Sequence, residues 1–211
     1  MKKLLAIAKA LLIVLLVWAI IGTILFAFHR PILRGIAHFW VVEDPPFEQV
    51  DAILIPGGNL EVRPFAAAEY FHEGVSSQLV TFVVKPSPSE ELGITEPAHK
   101  KTIEVLEALK VPRDAIVILE ETVSSSKEEL EGTKAWCLKN EVKSLAVLTD
   151  TFPSRRIARL YRSGFSDSGI KVHIVALEQL RYTPDNWWLE EDGLISFQNE
   201  VIKYLYYRVR Y

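Results

Sequence analysis

The chain has 211 residues, 27 of them acidic against 24 lysines and arginines, and a formal net charge of −3. Every Asp and Glu lies after residue 40, where 19 basic residues oppose the 27 acids, so residues 41–211 carry −8 and repel a phosphate backbone; this argues against sequence-independent nucleic-acid binding. The single cysteine, Cys137, excludes an intramolecular disulfide and leaves the redox compartment open.

Lys2 and Lys3 open the chain, and Ala10 to Phe28 is a 19-residue stretch without a charged side chain. About 20 apolar residues cross a bilayer core of about 30 Å, so residues 1–30 read as a membrane anchor with its span at about 10–28. A buried helix of a soluble core rarely runs this long without a polar face. A cleaved signal peptide also begins with lysine and an apolar run, but here the run is longer and ends in Phe-Ala-Phe-His-Arg, without small residues at a cleavage position. The anchor is expected to stay. Lys2, Lys3 and Lys9 precede the span while Arg30 and Arg34 follow it, which places the N-terminus in the cytoplasm and the remainder outside it, in a plasma (inner) membrane.

Residues 31–49, with Pro31, Pro45 and Pro46, read as a linker, and its aromatics Phe39 and Trp40 suit a membrane interface. Residues 50–211 then alternate two periods. Apolar runs at Val50–Pro56, Gln78–Val84, Ala115–Leu119, Ser144–Thr149 and Lys171–Ala176 read as strands. Helical patterns lie between them at about Val62–His72, Thr95–Leu109, Ser126–Leu138 and Phe152–Arg162, with Gly74 and Gly164 just past two of them. Such alternation predicts a three-layer, Rossmann-like α/β domain on a mostly parallel five-stranded sheet. From Trp187 onward a final aromatic helix follows, in which Leu194, Phe197, Val201, Tyr204 and Leu205 form a stripe expected to dock on the sheet. The alternative for Trp187, Trp188, Tyr206, Tyr207, Arg208, Arg210 and Tyr211 is a lipid headgroup layer.

Two strand-end loops stand out. In an open parallel sheet, ligands bind outside the carboxyl ends of the strands where the strand order reverses. Gly57-Gly58 ends the first strand, Asn59 or Glu61 begins the next helix, and Arg63-Pro64 fall in its first turn. After the fourth strand, Thr149-Asp150-Thr151 precedes Pro153 and Arg155-Arg156, with Asp150 or Thr151 as the expected cap. Arginine opposes the positive end of the helix dipole, a misfit that a bound anion removes. A plain tight turn and a solvated basic face are the blander accounts, and for Arg159 and Arg162 the latter is preferred. After the third strand, Ser125 with Glu128, or Ser126 with Glu129, fits a capping box; no histidine stands near to make a serine nucleophilic. Glu96 and His99 have the spacing of one helix face but lack further ligands, so no metal is expected. His72 and His173 read as structural.

These residues together resemble the YdcF/SanA/ElyC-like family of bacterial envelope-associated domains over roughly Asp51 to Ile174. The resemblance rests on Asp51-Ala-Ile with Gly57-Gly58, on Arg63 with Ala67-Ala68, and on Glu96 before the helix that follows the second strand. It rests further on Glu121 with Ser124-Ser125-Ser126, and on Thr149, Phe152 and Arg156. A C-terminal Trp-Trp…Glu…Lys-Tyr segment is also seen in relatives. The resemblance implies a Rossmann-like sheet and, for the anchored branch, a role in cell-envelope or peptidoglycan-related biogenesis. One relative is associated with S-adenosylmethionine binding, which is not carried over; no cofactor is demanded here. Pro153 replaces the family's histidine, Ser125-Ser126 its Asn-Thr pair, and Val83-Val84-Lys85-Pro86 its Ser-Gly-Gly. Loss of the imidazole removes the natural general base near neutral pH.

The site expected from sequence therefore comprises Gly57, Gly58, Asn59, Arg63, Glu96, Ser125, Ser126, Thr149, Asp150, Arg155 and Arg156 around an anionic small molecule or envelope precursor. Asp150 and Glu96 are the candidate catalytic carboxylates. Two further readings stay open: an interaction or scaffold module with a vestigial crevice, and a hydrolase or transferase on an envelope precursor.

Overall fold

A computed structural model of the chain describes residues 2–211, which divide after Phe39 into two compact units. Helix α1 (Lys2–Ala27) contains the segment Lys9–Ala27, of mean hydropathy 2.9 and with none of it buried. By length and composition it is one helix apolar enough to cross a membrane. The linker expected over residues 31–49 is corrected in its first part, because His29–Trp40 forms α2. Pro31 falls in the first turn, where a missing N–H costs nothing, and Ile32, Leu33, Ile36 and Phe39 recur at helical spacing. Only 41–51 remain irregular, around Pro45 and Pro46.

The second unit is a five-stranded, all-parallel sheet in the order β3-β2-β1-β4-β5. Its strands are β1 (Ala52–Leu54), β2 (Leu79–Val84), β3 (Ile116–Val123), β4 (Ser144–Asp150) and β5 (Lys171–Leu177). The helices are α3 (Arg63–His72), α4 (Pro88–Glu91), α5 (Ala98–Ala108), α6 (Ser126–Lys139), α7 (Ser154–Gly164) and α8 (Glu191–Arg210). Parallel neighbours need crossover helices on the sheet faces, and both faces are accordingly apolar. Successive side chains of β1 and of Ile55 just after it alternate between two cores: Ala52 and Leu54 pack with residues of α6 and α7, while Ile53 and Ile55 pack with α3 and α5. Strand order reverses across β1 and β4, so their carboxyl ends flank the crevice where this fold class binds ligands.

Local chemistry sets most boundaries. Gly74, at φ +74°, closes α3 as a left-handed residue. Gly164 is instead the last residue of α7, because a Cβ there would lie 2.6 Å from Leu130 Cδ2 and push α6 and α7 apart. The sheet has one irregularity: between Phe82 and Val83 the pairing of β2 with β3 jumps from Leu119 to Thr122. This bulge carries the end of β3, and the serine turn after it, past its neighbour.

After the 3-10 turn Trp187–Leu189, α8 packs on α7. The inward side of α8 holds Phe197, Glu200, Val201, Tyr204 and Tyr207. Leu194 and Leu205, expected in the buried stripe, are exposed, and the fully buried position is taken by Glu200, at 3 % exposure. Trp40 completes this corner, with its ring 5.6 Å from Phe197 and 5.3 Å from Tyr204 and its indole N–H donating to the Phe152 carbonyl.

Candidate functional site

At the carboxyl ends of β1 to β4 the domain holds a cleft of about 770 Å³, covered on one side by α8. The backbone at its floor is glycine for steric reasons. A Cβ on Gly57 would sit 2.5 Å from Val84 Cγ2, and Gly58 has φ +93°. These two residues let the first-strand loop pass directly over the end of β2.

Arg63, in the first turn of α3, reaches back under that loop. Its Nε and Nη2 donate to Asp150 Oδ1 and Oδ2, each at 3.0 Å. Its Nη1 donates to the carbonyls of Pro56, at 3.2 Å, and Gly57, at 2.6 Å. A guanidinium has five N–H donors in a fixed fork, so one remains beyond these four bonds. Asp150 also accepts from the Asn59 amide at 2.9 Å, and the same amide donates to Gln179. Asp150 is thus committed to three donors, which disfavours its expected role as a base.

Arg156 approaches from the first turn of α7. Its Nε and Nη2 donate to Glu200 Oε2 and Oε1 at 2.7 and 3.1 Å, its Nη1 donates to Ser126 Oγ at 3.0 Å, and its fork lies 5.1 Å from the Tyr207 ring centre. Two N–H donors remain. Lys203, more than half exposed on the rim, completes the group by binding Glu200 Oε1 at 3.2 Å. Both arginines therefore line the one cleft, as the sequence pattern requires, but each misfit with a helix dipole is answered by a carboxylate of the chain itself.

Glu129 lies between the two pairs, and the sequence reading missed it. Its Oε1 accepts the Gly57 N–H at 3.0 Å, so it does not close a capping box with Ser126. Burial pushes its carboxyl up from the ordinary glutamate range, against the Gly57 hydrogen bond and the nearby Arg63 and Arg156 charges. Lining the cleft are three cations, Arg63, Arg156 and Lys203, and three carboxyls, Glu129, Asp150 and Glu200. Protonation of Glu129 tips that balance to one net positive charge.

Of the other expected residues, Gly57, Gly58, Ser125, Ser126, Thr149 and Asp150 line the cleft. Ser125 caps α6, its Oγ accepting from Glu128 N at 3.3 Å, while Glu128 turns to the amide and hydroxyl of Ser124. Asn59 faces away from this cleft, held in a left-handed turn at φ +45° by Asp150 and Gln179. Neither Asn59 nor Glu61 caps α3, which starts behind Val62 without a side-chain cap. Nor do Asp150 or Thr151 cap α7, whose N-cap position is Pro153; the Thr151 hydroxyl donates instead to Leu177 O.

Arg155 and Glu96 stand outside the cleft lining. The Nε of Arg155 donates to Trp40 O at 2.9 Å and its fork covers the Trp40 ring. Glu96 is exposed in the turn before α5, so Pro97, not Glu96, opens the helix and the helix-face pairing with His99 does not form. Arg162 pairs with Asp44 at the surface and Arg159 is exposed, as a solvated face requires. His72 Nε2 meets Leu109 O at 2.8 Å, and His173 stacks near Phe47 in β5, both in structural settings.

Two missed residues left a trace in the sequence. Glu200 lies on the same helical face as Phe197, Val201 and Tyr204, and an acid inside an apolar stripe demands a buried cation. Glu129 is one helical turn beyond Ser125, where its long side chain reaches back over the turn. Compared with models of protein families, with characterised proteins and with solved structures, the chain matches none.

Proposed function

We propose that this chain is a membrane-anchored protein of cell-envelope biogenesis, related to the YdcF/SanA/ElyC-like family, whose cleft takes a small phosphate-bearing or otherwise anionic precursor. One observation carries the reading: Arg63 and Arg156, on different helices, face one cleft at the strand carboxyl ends and keep N–H donors beyond those their carboxylates use. The anion shares each fork with Asp150 or Glu200, and Lys203 adds a mobile charge at the rim. Anion entry is favoured when Glu129 is protonated, since the carboxylate form cancels the only surplus positive charge. Lys9–Ala27 supplies the anchor, with the N-terminus in the cytoplasm and the α/β domain outside it.

Titration of the full chain in detergent with inorganic phosphate and with sugar phosphates tests this. Binding is expected in the wild type and about tenfold weaker in Arg156→Lys, whose compact ammonium lacks the planar fork that holds Glu200 along one edge and keeps further N–H groups for an anion. Absence of binding in the wild type, or equal affinity in a folded Arg156→Lys, sinks the proposal.

A second reading, hydrolysis or transfer on that ligand, is favoured by Glu129. Burial pushes its ionisation upward, the direction that suits a general acid. Ser124, Ser125 and Ser126 stand beside it. An activity screen on phosphate esters, repeated with Glu129→Gln, separates chemistry from binding: loss of turnover with retained affinity supports the enzyme.

A further inference from the structure

The outward face of α8 is built the wrong way round for a helix on a soluble domain. Its inner side is spent on Phe197, Glu200, Val201, Tyr204 and Tyr207, yet Ile202, Leu205, Tyr206 and Val209 follow one another at helical spacing on the solvent side. Their exposures are 66, 56, 50 and 91 %, and Ile195, one heptad before Ile202, extends the stripe. Apolar groups in such a row leave water only by meeting another surface. Lys203, Arg208 and Arg210 flank the row, and residues 201–211 contain no Asp or Glu. In a domain carrying −8, this is a local reversal of charge.

We propose that this face of α8 lies on a bilayer surface rich in anionic lipid, with Ile202, Leu205, Tyr206 and Val209 in the acyl boundary and Arg208 and Arg210 among the headgroups. An apolar row bordered by cations and aromatics is the composition of an interfacial helix. A second copy fits the face less well, because it would press two rows of cations against each other. The inference rests on the anchoring of the chain proposed above, since a tethered domain meets the surface at high effective concentration and needs only weak docking.

The test uses the full chain reconstituted in vesicles, with single cysteines at Ile202→Cys, Val209→Cys or Ser77→Cys in a Cys137→Ala background, each carrying a fluorophore. Ser77, exposed at the opposite end of the sheet, is the reference. In vesicles of phosphatidylcholine with phosphatidylglycerol, labels at 202 and 209 are expected to be quenched by lipid-borne spin labels and shielded from aqueous iodide, and the label at 77 to behave oppositely. Arg208→Gln and Arg210→Gln should each lower the docking equilibrium about fivefold, as should added salt. Equal iodide access at 202, 209 and 77 overturns the inference. So does shielding that persists in detergent and grows with protein concentration, which assigns the face to a second copy. Resistance of the chain to alkaline extraction reports the anchor separately, so an embedded chain with α8 in water refutes this inference alone.

Discussion

The amide of Gly57 donates to the carboxyl of Glu129 across 3.0 Å, joining the loop after β1 to the first turn of α6. A Cβ at position 57 would lie 2.5 Å from Val84 Cγ2, so a side chain there would displace Val84 and with it the loop that carries this amide. Glu129 therefore serves the loop and the cleft together.

Stability should fall as pH rises through the window just above the ordinary glutamate range. Unfolded, Glu129 ionises in that range; folded, burial holds its proton to higher pH. The folded state binds more protons across the interval, so its advantage is lost as pH climbs through the folded pKa. Glu129→Gln keeps an oxygen for Gly57 and removes the titration. Urea melts between about pH 5 and pH 8 should show the variant more stable than the wild type at the upper end and flat across the window. Phosphate affinity should strengthen towards acid in the wild type and lose that trend in the variant.

Arg156 and Glu200 are 7 and 3 % exposed, a buried ion pair. Removing one partner strands the other, so Glu200→Ala should cost about 3–5 kcal/mol, measurable by chemical denaturation. The stranded guanidinium then becomes an anion site with no internal competitor. Added phosphate should raise the melting temperature of Glu200→Ala by more than that of the wild type. Equal shifts would mean that phosphate does not reach Arg156.

Asp51 Oδ2 accepts the Lys143 and Ser144 amides at 2.6 and 2.8 Å, tying the start of β1 to the start of β4. The Lys143 hydrogen bond is the main reason its carboxyl ionises below the usual aspartate range. This contribution is full above the unfolded pKa and lost as pH falls through the folded one. Asp51→Ala should cost on the order of 1 kcal/mol, small because the group is solvated, and should blunt acid denaturation measured by circular dichroism.

A reporter active only in the cytoplasm, fused after Tyr211, should stay silent, and one active only outside should give signal. The bias is three lysines before the span against two arginines after it. Reversal of the two signals would place the cleft in the cytoplasm and change which precursors can reach it.

The sheet was legible because parallel strands buried on both faces must be continuous apolar runs, and all five runs became strands. Helix starts were less so: α3 and α7 begin without side-chain caps, and the good caps by type bond elsewhere, Asn59 to Asp150 and Gln179, Asp150 to Arg63, and Thr151 to Leu177. Arg63 and Arg156 were placed correctly by the rule that strand order reverses between β1 and β4. Their partners were not, since the contact from Arg156 to Glu200 spans 44 positions and no local periodicity reports it. Glu96 failed for a local reason: Pro97 stops the helix from extending back over it.

The shortest strand sits at the centre of the sheet. Ala52–Leu54 must pair with β2 on one side, about 25 residues away, and with β4 on the other, where the Asp51 to Ser144 contact closes 93 residues. Closing the longer loop sacrifices more chain freedom before any contact repays it. The half made of β1, β2 and β3 is therefore expected to assemble first during refolding, with β4, β5 and the arginine pairs joining late. The cleft would then be the last feature to form. In stopped-flow refolding, Leu54→Ala should slow the folding limb, whereas Val175→Ala should act mainly on unfolding. A protein that finishes this cleft last exposes Glu129 and Arg156 to water until the final step.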